Sequence, residues 1–396
     1  MQLSSLLDRF CEPETLKMAK LGRELRARGI DVIDLSLGEP DFNTPEHIKE
    51  AAIQAIHDNF SHYTPVAGYL DLREAVCSKL KRDNDLHYKP EQIVTSTGAK
   101  QSLANVILAT VDEGKEVIIP TPYWVTYSEL VKIARATVVE VHTSQESGFK
   151  ITPQQLEAAI TPATRLFLFS SPCNPSGAVY SKVELAGLVE VLMKHPDILV
   201  ISDEIYEYIN FVGKHESIAQ FSEIKDRVVL INGLSKGFAM TGWRLGYIAA
   251  NAEVAKACEK LQGQFTSGAC SITQKAGVAA LTTDLRPSLE MAEEFTRRRA
   301  RVMELTSDIP GFKCSEPEGA FYIFPDVSYY YGKKDGENTI TNSADFSMYL
   351  LNTAHVSSVM GEAFGEPNCV RFSFANSMNN IQRAWVRIKE ALSKLK

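Results

Sequence analysis

The stretch RVVLINGLSKGFAMTGWRLGY, residues 227–247, sets two cations beyond the end of a buried strand. Its opening run, RVVLING, is rich in β-branched apolar residues and has the continuous character of a strand covered on both faces. Ser235 and Lys236 follow at once, and Arg244 comes shortly after with no acid near it in sequence. A lysine in small, apolar company loses solvation, and its pKa falls toward that of a nucleophilic amine. The competing reading is a solvated side chain at an ordinary strand end.

Six more runs share the character of the first: EQIVTS, KEVIIP, ATVVEVH, TRLFLFS, DILVISD and RLGYIAA. Between most of them lie segments of helical period, such as QSLANVILATV, VTYSELVKIAR and KVELAGLVEVLMKH. Buried strands alternating with helices predict an α/β fold, a mainly parallel sheet of seven strands in an α/β/α sandwich. From DLRPSLEMAEEF onward the pattern becomes a long helix, short strands such as CVRFSFA, and a closing helix. That is a smaller α+β unit, and GIDVIDLSLGEP near the N-terminus is expected to join it. The expected division is a large domain over 46–285 and a small one from 1–45 and 286–396. The stretch YYYGKKDGENTITNS, 329–343, reads as a polar loop.

Composition excludes several classes of function. A net charge of −7 argues against a nucleic-acid partner, and the one basic run, RRRAR at 297–301, reads as a solvated helix face behind a stretch of acids. No apolar stretch approaches the ~20 residues that cross a bilayer, and MQLSSLLDRF lacks the pattern of a secretory leader. Seven scattered cysteines without a C-x-x-C pair suit reduced thiols in the cytoplasm. HESIA, 215–219, begins like a zinc motif but has Ala219 where the second histidine belongs, so no metal is expected.

In an open α/β sheet, ligands bind beyond the carboxyl ends of the strands. TGAK, 97–100, follows one such end and opens a helix, where small residues let backbone N–H groups approach a phosphate. Asn174 follows another end, Asp203 and Tyr206 a third, and Ser235, Lys236 and Arg244 a fourth. The set offers an anion cradle, an acid, a phenol, an amide and an amine, without G-x-G-x-x-G or G-x-x-x-x-G-K-[ST]. Pyridoxal phosphate accounts for it: the lysine condenses with the aldehyde, and the acid pairs with the pyridinium nitrogen.

LSLGEPDFNTP, YTPVAGYLDLREA, TGAKQ, PTPYWVTY, SPCNPSGAVY, SDEIYE, SKGFAMTGWRLGY and VRFSFANS occur in this order along nearly the whole chain. In these motifs the chain resembles the fold-type I, class I aminotransferases, closest to the bacterial aspartate aminotransferase branch. The resemblance implies that Lys236 is the Schiff-base lysine, Asp203 the pyridine partner, and Asn174 and Tyr206 donors to the cofactor's phenolic oxygen. It implies a phosphate grip from Gly98, Ala99, Ser235 and Arg244, with Trp124, or its neighbour Tyr123, stacked on the ring. Gly38 and Arg371 would hold the substrate α-carboxylate, and Tyr63 would reach the phosphate of a second subunit in a homodimer.

The arginine that reads the distal carboxylate in animal-type enzymes has no counterpart in QGQFTSGACS, whereas Lys100 stands where the bacterial branch places a lysine for that role. Relatives that accept prephenate carry a lysine shortly before the first helix's proline. Here Glu12 precedes Pro13, which speaks against prephenate. An aromatic or broad-specificity aminotransferase, or a C–S lyase using the same cofactor, would share these cofactor residues.

Overall fold

All seven apolar runs are strands of one sheet: β1 (Ile93–Ser96), β2 (Glu116–Pro120), β3 (Thr137–Val141), β4 (Thr164–Ser170), β5 (Leu199–Asp203), β6 (Val228–Gly233) and β7 (Gly246–Ala249). The computed structural model from which they are read describes residues 3–396, so the first two residues of the N-terminal stretch lie outside it. The spatial order is β1-β7-β6-β5-β4-β2-β3. Pairings from β3 through β6 are parallel, while β7 runs antiparallel to both β6 and β1. The reversal has a consequence for the ligand rim. β1 and β6 point the same way, so their carboxyl ends share an edge of the sheet with the beginning of β7, which Arg244 precedes.

The sheet is covered on both faces. Every residue of β5 and β6 is buried, as the continuous apolar runs require. One face packs Phe167, Val200 and Leu230 among Leu185, Leu188 and Leu192, and the other packs Leu168, Ile201 and Ile231 against Leu103, Val106 and Ile107. Truncating one such residue to alanine costs about 2–5 kcal/mol.

The expected helix after 286 is Arg286–Ser307, and the closing helix is Met378–Leu392. They enclose Phe295, Phe321, Phe372 and Trp385 beside an antiparallel sheet of Val359–Met360, Val370–Ser373 and Tyr322–Ile323. The N-terminal strand Ile33–Asp34 pairs in parallel with Val356–Ser357, which joins the two ends of the chain.

Two local expectations need correction. Arg298 of the basic run is buried and bonded to Asp41 at 2.6 Å and Glu294 at 3.0 Å, although Arg297 beside it stays exposed. Five consecutive helical residues exceed one turn of 3.6, so part of the run must face inward. The polar stretch 329–343 also carries structure, a short hairpin pairing Lys334–Asp335 with Asn338–Thr339. Gly336, with φ +59°, supplies its turn.

Candidate active site

The carboxyl rim of the sheet closes over a cavity of about 240 Å³. Gly38, Ala99, Lys100, Trp124, Asn174, Asp203, Tyr206, Ser235, Lys236, Arg244 and Arg371 all line it. Gly98 lies just behind. Its φ is +82°, and a side chain there would run into the Arg244 guanidinium, so the close approach requires glycine. Tyr63 is apart from the cavity and almost wholly in solvent, at 99% exposure. Trp124 lines the cavity, whereas Tyr123 turns away to donate to Glu140 Oε1 at 2.5 Å.

Lys236 is half-buried, and its ammonium donates to the Gly38 carbonyl. Loss of solvation brings its pKa down to about 8, helped by the cations Arg371 and Arg244 and opposed by Glu39 and Asp203. Asp203, 3% exposed, ends β5 and accepts from the Tyr127 hydroxyl at 2.6 Å and the Ile205 N–H at 3.2 Å. Burial pushes the acid up to about 6, against the pull of those two donors. The Tyr206 and Tyr322 hydroxyls share a hydrogen bond of 2.7 Å.

Arg371 is the most unusual side chain. Only 1% exposed, it donates to Asn174 Oδ1 at 2.9 Å and to the Ser36 carbonyl at 2.5 Å, while its Nε has no partner. Burial lowers its pKa from the ordinary arginine value. Arg244 finds only carbonyls, those of Thr241 and Thr97. Lys100 sits 5.0 Å above the Trp124 ring, its pKa lowered by burial and by Arg244. Among the described residues, none of these four cations forms an ion pair, and Asp203 is the single carboxylate lining the cavity. Arg371 is buried and Lys236 half-buried, while Lys100 and Arg244 are exposed at the cavity's edge. Buried charge without a counterion is costly, so a cavity holding Arg371 unpaired beside three further cations suits an anionic ligand.

One part of it has the character of an anion site. The helix Ala99–Thr110 begins at Gly98 with no side-chain cap, so its first N–H groups are open beside Ser235 and Arg244. A bound carboxylate would meet the unpartnered Nε edge of Arg371, whose fork geometry suits it. Because Asn174 Oδ1 accepts from Arg371, its amide nitrogen is left to donate elsewhere. The chemistry available is therefore amine condensation and proton transfer at Lys236, with two anion grips.

A family model described as "Aminotransferase class I and II" matches residues 30–388. The chain belongs to that family. A Petunia hybrida protein described as "Bifunctional aspartate aminotransferase and glutamate/aspartate-prephenate aminotransferase" is 46% identical over 97% of this aminotransferase chain and 81% of its own. The solved aspartate aminotransferase of Rhizobium meliloti superposes with a TM-score of 0.97 at 41% identity, covering all of both chains. The Thermus thermophilus aspartate aminotransferase solved with maleate gives 0.93 at 38% identity, over 99% of this chain and 100% of that one. No helix of the described residues is long and apolar enough to cross a membrane.

Sequence reasoning missed several groups that line the cavity of this aminotransferase, among them Thr15, Ser170, Tyr127 and Tyr322. Tyr127 and Tyr322 stood within the motifs PTPYWVTY and GAFYIF, whose aromatic residues pass for core packing. What distinguishes them is a hydroxyl partner distant in sequence, Asp203 for Tyr127 and Tyr206 for Tyr322.

Proposed function

We propose that this aminotransferase uses pyridoxal phosphate to move an amino group between L-aspartate and 2-oxoglutarate by a ping-pong mechanism. The observation that carries the reading is an acid-poor cavity with four unpaired cations, where a lysine of pKa about 8 stands between Asp203 and Arg371. When bound, pyridoxal phosphate supplies an aldehyde that condenses with amines and a ring that draws electrons from the substrate Cα.

The residues then divide the work. Open N–H groups after Gly98, with Ala99, Ser235 and Arg244, hold the phosphate, while Trp124 stacks on the ring. Asp203 pairs with the ring nitrogen, and Asn174 and Tyr206 donate to the phenolic oxygen. Arg371, with Gly38, binds the α-carboxylate of the amino acid. Lys236 first holds the cofactor and then, as a neutral amine, carries the proton removed from Cα. Its pKa near neutrality suits both tasks.

Lys100 is the distal-carboxylate reader in this proposal. Apart from Lys236, which holds the cofactor aldehyde, it is the one lining cation with no role toward phosphate or α-carboxylate, and dicarboxylates have one more charge to place. The names of the Petunia and Rhizobium relatives, and the maleate in the Thermus structure, support that choice. Glu12, exposed beside Pro13, leaves aspartate ahead of prephenate.

We further propose a homodimer in which Tyr63 enters the partner's phosphate site. A tyrosine at 99% exposure is without packing in the single chain, and exposed Phe265 lies beside the same loop, since a side chain on Gly263 would meet Val66 and one on Gly268 would run into Thr64. The unit boundaries 46–285 against 1–45 and 286–396 belong to the same reading, supported by the pairing of Ile33–Asp34 with Val356–Ser357. So does a cytoplasmic setting, which the seven free cysteines suit.

Reductive trapping with borohydride and peptide mapping tests the site: the cofactor label belongs on Lys236, and a label on another lysine overturns the assignment. Product analysis tests the reaction, because a keto acid with retained nitrogen supports transamination, whereas ammonia with pyruvate establishes a lyase.

A further inference from the structure

Behind the cavity lies a buried ionic cluster that the proposed reaction does not use. It grips the back of the turn 203–209. From that turn Asp203 and Tyr206 line the cavity, whereas Glu204, Glu207 and Tyr208 make their polar contacts elsewhere. Lys79, from the helix Leu70–Asn84, is 1% exposed and forms an ion pair with Glu207. Its ammonium also donates to Asn84 Oδ1 at 2.8 Å and stands 3.8 Å from Asp83. Asn84 closes the ring by donating to Glu207 Oε2 at 3.2 Å, and the Tyr208 hydroxyl donates to Asp83 at 2.6 Å.

Glu204 is held from the other side by Ser202 at 2.8 Å, Ser217 at 2.6 Å and His215 at 2.8 Å. The carboxylates of Glu204 and Glu207 and the His215 ring come within 4.8 Å of one another, a spacing that a metal could use. The Lys79 ammonium already supplies the cation there, so the cluster reads as an ion-pair network.

The cluster reaches the proposed catalytic lysine through Tyr208. A side chain on Gly237 would come within 2.6 Å of the Tyr208 ring, and that ring meets Phe238 edge-on at 5.3 Å. The backbone just after Lys236 therefore rests on a side chain of the gripped turn. Buried ion pairs give little stability over an apolar core of the same volume, but they fix geometry.

We propose that Lys79 and Glu207 are positioning residues: their pairing pins the turn 203–209 to the helix Leu70–Asn84 and, through Tyr208, sets the backbone that aims Lys236 at Asp203 and Tyr206. The inference rests on the roles proposed above for those three residues. The test uses the holoenzyme of Lys79→Met/Glu207→Met, which leaves neither partner as an uncompensated charge, with the isosteric Glu207→Gln as a second variant should the first not fold. Four quantities are read: the melting temperature, kcat and KM with aspartate, and the pH midpoint of the Schiff base between Lys236 and the bound cofactor, from its visible band.

In a folded variant kcat should fall about tenfold to a hundredfold, as for groups displaced by up to 1 Å, with KM nearly unchanged because Arg371 is untouched. The midpoint of that Schiff base should rise above the wild-type value, because looser packing readmits water, which favours the protonated form. Only the two changes together support the proposal. Any folded variant in which kcat or the midpoint stays at the wild-type value overturns it, and so does failure of both variants to fold, which would make the cluster a support of the fold. Wild-type enzyme that does not trap cofactor on Lys236 would instead overturn the proposed function.

Discussion

Replacing Tyr127 by phenylalanine removes one oxygen and leaves the ring in place, edge-on to Trp124 at 5.6 Å. That oxygen is one of two donors holding Asp203 as a carboxylate, at 2.6 Å against 3.2 Å for the Ile205 N–H. Burial pushes the acid up to about 6, and the donors work against it. A hydrogen bond to a charged group contributes about 1.5–3 kcal/mol, and one pH unit corresponds to about 1.36 kcal/mol. Loss of the Tyr127 hydroxyl should therefore raise the Asp203 midpoint by about one to two pH units, to about 7–8.

The sign of the functional effect follows from the pairing. In the proposed site Asp203 would hold the protonated ring nitrogen as a carboxylate, so the grip would be present above its pKa and lost as pH falls through it. Cofactor affinity should decline below about pH 6 in the wild type, and below about pH 7–8 in Tyr127→Phe. Near pH 7 the variant should bind about two- to tenfold more weakly, and near pH 9 the two should agree. Equilibrium dialysis of the apoproteins against pyridoxal phosphate from about pH 5 to 9, with a melt at each pH, measures this. Superimposable pH profiles would refute the electrostatic argument, because the hydroxyl would then not control the acid.

Four shorter tests address the remaining residues. The apoprotein should take up the cofactor aldehyde faster as pH rises through about 8, where burial leaves the Lys236 amine neutral, and a midpoint near 10.5 would contradict that. Arg371→Lys loses the forked contact, and two charge-assisted bonds at about 1.5–3 kcal/mol each put kcat/KM down about 10²- to 10⁴-fold. Aspartate and alanine should suffer alike, since both carry the α-carboxylate. Lys100→Ala should lower kcat/KM for aspartate and glutamate about ten- to a hundredfold while sparing alanine and phenylalanine, and an equal loss for all four would remove it from side-chain recognition. Mixing Lys236→Ala with Tyr63→Phe subunits should restore activity above either parent, because a mixed dimer holds one intact site; a fully active monomer by light scattering would rule the interface out.

The sequence shows what is periodic and hides what meets across space. All seven strands were legible because each is a buried β-branched run, and the rim residues followed from where those runs end. Arg371 was legible through the motif VRFSFANS alone, since nothing in its neighbours announces a buried guanidinium without a carboxylate. Tyr127 went unread because its partner is 76 positions away. Lys79 looked like any surface lysine of a polar helix, yet its position on the inner face buries it against Glu207. Arg298 was misread for the same reason: a charge run gives composition, and the helix turn decides which member faces inward. At the N-terminal helix the sequence drew only Glu12, before Pro13, into the question of substrate, whereas Thr15 and Leu16 are the residues that line the cavity.

The cations of the cavity serve two purposes that are coupled. Lys100, Lys236, Arg244 and Arg371 attract anions, and the two arginines also help keep the Lys236 amine neutral. An anion that neutralises Arg371 weakens one of the influences that lower the Lys236 pKa. In the proposed mechanism the amine would therefore become a stronger proton acceptor as a substrate carboxylate arrives, which is when a proton must leave Cα. Asp203 answers the same cations in the opposite direction, since the charge on Lys236 favours its ionised form. A cavity built with paired cations would bind no more tightly and would lose this link. With neither Arg371 nor Arg244 tied up in an ion pair, the proposed mechanism would let the arriving substrate carboxylate raise the basicity of the group that acts on the substrate.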